Sequence, residues 1–121
     1  MKKKELTIPL WDRTLYLLVG GDWNTILELA TKLKLSYQTI HEIKKDKILN
    51  EDRGAAYFCM EEGTGLIWFP AKKVDTATLA HECTHIADFT LMYIGAFEEL
   101  EARAYTVDWL MSTISLQLKR F

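Results

Sequence analysis

Residues 75–95 read DTATLAHECTHIADFTLMYIG. Asp75 or Thr76 offers a side-chain oxygen to cap a helix, and Gly95 offers the left-handed residue that commonly ends one. Between them, Leu79, Cys83 and Ile86 recur at helical spacing and form an apolar stripe. A helix over residues 76–93 is therefore predicted, and it carries the pentad His81-Glu82-Cys83-Thr84-His85.

Residues four apart on a helix share a face, roughly 5–6 Å apart at Cβ, so His81 and His85 can reach one ion. Glu82 lies about 100° further round and can hold a water beside that ion. Two neutral imidazoles and a carboxylate suit zinc and leave a position for water, acidified toward a pKa of about 7. The pattern points to hydrolysis. An HExxH match on a solvated helix face also arises by accident, at roughly one per two hundred chains of this composition. Here the helical context and the concentration of two of the three histidines in one pentad favour the chemical reading. Cys83 sits about 200° from His81, on the apolar stripe, and reads as core.

The chain has 121 residues and 49% hydrophobic content, which suits one domain over residues 1–121. Its net charge of -2 lacks the basic excess of a nucleic-acid binder, so no nucleic-acid partner is expected. Lys2 to Lys4 precede an apolar run that Asp12 and Arg13 interrupt, unlike a signal peptide, and no stretch approaches the roughly 20 apolar residues of a membrane span. Cys59 and Cys83 form no disulfide pattern. These features predict a cytoplasmic protein without a membrane partner.

Residues 6–19, closed by Gly20 and Gly21, read as one or two strands and a turn. Asp22 caps a helix over 23–33 with Ile26, Leu27, Ala30 and Leu33 on one side, and residues 35–48 suggest a looser helix with a basic surface. Two aromatic runs, 55–60 and 66–69, flank Glu61-Glu62-Gly63-Thr64-Gly65 and predict a hairpin. After Pro70 and the pentad helix, a last helix runs from about 97 to 119, with Leu100, Val107, Leu110, Ile114 and Leu118 as its buried side. The fold class is α+β.

Two histidines alone hold zinc poorly, and the last helix offers Glu98, Glu99 and Glu101 near its start. Negative charge is stabilised at a helix N-terminus, which accounts for such residues without any ligand role. Glu101 has the best surroundings: Ala102 and Ala104 permit close helix approach, while Tyr105 and Asp108 share its face.

The stretch TLAHECTHIADFTLMYIG…EELEARAYTVDWL resembles gluzincin-type metallopeptidases, in which a glutamate on a later helix follows HExxH. It looks particularly like small phage-encoded metallopeptidases and, more distantly, ImmA/IrrE-type peptidases. The likeness covers residues 54–112, including RGAAYF and LIWFP. It implies a minimal zincin-like domain, a Zn²⁺ cofactor held by His81, His85 and Glu101, and Glu82 as general base. Where a gluzincin often has an aspartate to orient the first histidine, this chain has Tyr105, leaving that task to Asp88 or Asp108, with Asp88 nearer His81's helix direction. For the tetrahedral oxyanion, Tyr105, Tyr93 and Arg103 are candidate donors that spacing does not separate, and Tyr105 stands beside Glu82 as the catalytic candidate.

The expected partner is a peptide or protein substrate lying extended along the strand at 66–69, with Trp68 and Phe69 as candidate cleft lining against the alternative of core. With no further domain to wall the cleft, a homo-oligomer or protein partner could complete it. Two rivals stand beside the peptidase. Residues 27–47 follow a helix-turn-helix rhythm, with Ala30, the turn at Leu35-Ser36 and Ile40 in place, although Lys34 stands where glycine is common. Alternatively, the metal braces two helices in a binding or assembly protein without catalysis. His41 reads as a surface residue.

Overall fold

The computed structural model describes residues 1–50 and 53–121. Alternation along Arg13–Val19 organises the sheet: Leu15, Leu17 and Val19 enter one buried cluster, while Leu18 enters a second on the opposite face. This strand, β2, pairs antiparallel with β1 (Lys2–Ile8), placing Leu6 opposite Leu15. The turn between them takes Leu10 and Asp12 through positive φ. The predicted hairpin is present as β3 (Ala55–Cys59) and β4 (Thr64–Phe69), with Ala56 opposite Ile67. Its turn needs Gly63, whose φ is 69° and where a Cβ would lie 2.5 Å from the ring of Tyr93.

Strand order is β1-β2-β4-β3, and β4 runs parallel to β2, with Ile67 opposite Leu17. The parallel pairing needs a crossover, supplied by α1 (Trp23–Lys32) and α2 (Tyr37–Leu49). Asp22 and Thr25 form a reciprocal cap at the start of α1, and the turn to α2 holds Lys34 at φ 57°. Trp23, Ile26, Ala30 and Ile43 bury with Leu18, Leu66 and Trp68, so the helix-turn-helix rhythm corresponds to two helices laid on a sheet. His41 is exposed and stacks on Tyr37.

The other face of the sheet is covered by α3 (Thr76–Ile94) and α4 (Leu100–Arg120). The protein is thus an α+β fold with one mixed sheet between two helix pairs. α3 begins and ends as its capping residues predict: the side chain of Asp75 accepts from the Thr78 amide, and Gly95 adopts φ 77°. Leu79, Cys83, Ile86 and Ala87 share a cluster with Ile67 and Phe69. Cys83 is fully buried, and burial pushes its thiol up to about 12. In α4 the buried side starts later than expected, with Thr106, Leu110, Ile114 and Leu118, whereas Leu100 is 77% exposed. The first turn overhangs the core, and Thr106 takes the inward position by accepting a hydrogen bond from the Trp11 indole.

Because β4 lies between β2 and β3, both of its edges are paired and both faces are covered, which explains the uninterrupted apolar run Leu66–Phe69. Trp68 and Phe69 are wholly buried, in different clusters, so both are core, and Phe69 also borders a small cavity with Arg53 and Thr78. The edge strand beside α3 is β3, not the strand at 66–69.

The Asp75 cap ties the start of the pentad helix to pH. Its bonds from the Thr78 amide and hydroxyl hold the carboxyl below its ordinary 3.8, so the stabilisation is complete above that value and is lost as pH falls through the lower folded value. Asp75→Ala is expected to lower the urea midpoint at pH 7, with the gap from the native chain closing below about pH 4. Urea titrations between pH 7 and pH 3 check this, and a gap independent of pH would exclude a charged cap.

Candidate metal centre

The helical register of α3 sets the geometry. With Leu79, Cys83 and Ile86 buried on the sheet, His81 and His85 project outward while Glu82 lies at the margin of the buried stripe, 7% exposed. The two imidazoles converge, Nε2 to Nε2, at 3.1 Å, and Oε1 of Glu82 lies 3.6 Å from His81 Nε2. Phe89 lies one turn beyond His85, its ring stacked on that imidazole at 6.0 Å between centroids. Donor atoms of His81, Glu82 and His85 all fall within 4.8 Å of one another, a group that could hold a metal ion.

The donor set fits that role. Two nitrogens each about 2.0–2.1 Å from one tetrahedral ion stand about 3.3 Å apart, close to what the imidazoles already show. Oε2 of Glu82 is buried with no hydrogen-bond partner, and an unsatisfied buried acceptor costs on the order of 1–3 kcal/mol. Burial raises the Glu82 carboxyl above the usual range, opposed by the imidazoles of His81 and His85 and by the Arg53 guanidinium. A carboxylate so placed gains from a nearby cation and takes up a proton more readily than an exposed one.

Around the pentad the surface is concave. A cavity of about 420 Å³ is bounded by Arg53, Gly54, Ala77, Thr78, His81 and Glu82. A second continues past His85 to Ala55 and Ala56 of β3 and to Trp23, Asp46 and Asn50 on the α1/α2 layer. A third, further along, lies between Thr39 and Glu42 of α2, Phe58 and Phe89. The first two share Arg53, Gly54, His81 and Glu82 and form one groove beside β3, bordered by residues of α3 and of α2. Asp46 of α2 borders the cavity on the side away from the histidines' own helix.

The last helix contributes nothing to this lining. Glu101 is exposed in the first turn of α4, outside the His81–Glu82–His85 group, and Tyr105 is 49% exposed; neither borders the cavities at the pentad. Leu110, Ile114 and Leu118 of α4 join the buried cluster that contains Ile8 and Leu15, whereas the histidines border a cavity shared with Ala55 and Ala56 of β3. Asp88 does not orient His81: its carboxylate receives the Arg103 guanidinium, which joins α3 to α4. Tyr93 accepts from Arg13 near the hairpin turn. Asp46, Asn50, Arg53 and Trp23 are the residues that sequence reasoning missed. Glu42, Asp46 and Asn50 recur every fourth residue along α2 and read only as a solvated helix face.

No family model, curated protein or solved structure matches the chain.

Metal binding to the pentad should show as stabilisation. Zinc at about 100-fold over its Kd is expected to add about 2.7 kcal/mol, raising the melting temperature of the native chain, and chelation should reverse the shift. His81→Ala/His85→Ala should melt at one temperature with and without zinc. An equal zinc shift in that double variant would place the metal elsewhere.

Proposed function

We propose that the chain is a zinc-dependent peptidase, with His81 and His85 holding the ion and Glu82 as general base. The observation that carries the reading is the pairing of a converged, outward-facing histidine pair with a nearly buried, orphaned carboxylate at the margin of a groove beside an edge strand. Zinc held there supplies Lewis acidity toward a water and a peptide carbonyl.

The remaining steps belong to the chain. An extended substrate pairs with the outer edge of β3 and is confined between α2 and α3. Glu82 takes a proton from the attacking water and passes it to the departing amine, a transfer helped by the burial that raises its proton affinity. Arg53 borders both cavities at the pentad and opposes negative charge developing on the carbonyl oxygen, whereas Tyr105, Tyr93 and Arg103 border neither.

The resemblance to gluzincin-type enzymes agrees with the pentad and with Glu82, while the lining of the groove departs from it at Glu101. A purely bracing ion closes its shell with four protein donors, which an open cavity beside the histidines does not favour. Among the described residues no helix is long and apolar enough to cross a membrane, and the two buried free cysteines suit a reducing compartment such as the cytoplasm.

Glu82→Gln preserves side-chain size and should bind zinc like the native chain while cleavage of casein or a peptide library falls by about 10²–10⁴-fold. Bound metal with no cleavage by either protein would favour the bracing role.

A further inference from the structure

We propose that the third protein ligand to the metal is Asp46 of α2, with Tyr57 as the residue that orients it. The inference rests on the pentad as a metal site, and does not require that the site be catalytic.

Two histidines on a single helix leave an ion weakly held, so a further donor must come from the side they face. That side is the β3 edge and α2. Among the described residues bordering the cavity that contains both histidines, Asp46 is the carboxylate outside the pentad. Its Oδ2 accepts a hydrogen bond from the Tyr57 hydroxyl at 2.5 Å. Tyr57 is itself 4% exposed, so its hydroxyl is held in place as a donor to Asp46. A carboxylate anchored at one oxygen by a fixed hydroxyl keeps its second oxygen as a ligand, the arrangement in which a hydrogen-bonded partner orients a donor toward an ion.

An independent observation places unmet polarity at the same cavity. Glu82 and Trp23 both border it, both are more than nine-tenths buried, and Oε2 of the one and Nε1 of the other have no partner. A cation beside Glu82, with a polar ligand or solvent shell reaching toward Trp23, would answer both. Glu82 and Asp46 border the same cavity, so a divalent cation there faces two carboxylates.

Asp46 lies outside the group whose donor atoms fall within 4.8 Å, so binding draws α2 toward α3. The metal therefore closes the groove as well as occupying it, and α2 becomes a wall whose position depends on the ion. Glu101 does not border this cavity.

The experiment titrates Zn²⁺ by calorimetry and Co²⁺ by visible absorption into the native chain, Asp46→Asn, Tyr57→Phe, Glu101→Gln and His85→Ala, all first shown to be folded by circular dichroism. Asparagine keeps the size of Asp46 and still accepts from Tyr57, so the fold is preserved. Asp46→Asn should weaken zinc binding by at least about 10²-fold and change the cobalt spectrum, Tyr57→Phe by about 10-fold, and Glu101→Gln should leave both unchanged. Zinc should also slow amide exchange along α2 in the native chain and not in Asp46→Asn. Native-like affinity and spectrum in Asp46→Asn, or an equal loss in Glu101→Gln, overturns the assignment while leaving the pentad as a metal site. Undiminished binding by His85→Ala, or none by the native chain, overturns the metal site and this inference together.

Discussion

The burial of Leu79, Cys83, Ile86 and Ala87 beside Ile67 and Phe69 is the contact on which the rest of the structure depends. It fixes the rotation of α3 about its own axis, and that rotation decides which way the histidines point. A turn of about 100°, one residue of helical phase, would carry His81 into the core or Glu82 fully into water. The same contact sets α3 over the β3–β4 side, leaving β1 and β2 to be covered by α4. The site's location at the sheet edge is therefore a consequence of core packing, and the caps at Asp75 and Gly95 set the length over which the packing acts.

Much of the fold was readable because local signals and tertiary packing agree. The Asp22 and Asp75 caps, the Gly95 stop and the glycine-containing hairpin turn all specify backbone conformation within a few residues of themselves. What could not be read was pairing between distant strands. The apolar run at Leu66–Phe69 is compatible with a strand half covered or covered on both faces, and only the insertion of β4 between β2 and β3 selects the latter. Leu100 shows the complementary failure: its helical spacing matches the buried side of α4, yet the sheet ends before the helix does.

For the site, the pentad was legible since His81, Glu82 and His85 all come from one helix and helical geometry alone brings them together. Donors from elsewhere depend on which side of α3 each neighbouring helix occupies. Glu101 and Tyr105 border neither cavity at the pentad, and on the same helix Arg103 is tied to Asp88. Asp46 carried no sequence signal, because an acidic residue on the polar face of α2 looks like any other until Tyr57 and the β3 edge are set beside it.

The two free edges of the sheet differ in a way that bears on self-association. β1 presents Lys2, Lys3 and Lys4 in succession, all exposed, and a second copy of that strand would meet six ammonium groups at close range. β3 has no such guard and opens onto the groove. Strand-by-strand growth between copies of this chain requires two receptive edges on every copy. With the β1 edge guarded by its lysines, growth between copies meets a repelling edge on every molecule, which works against a fibre.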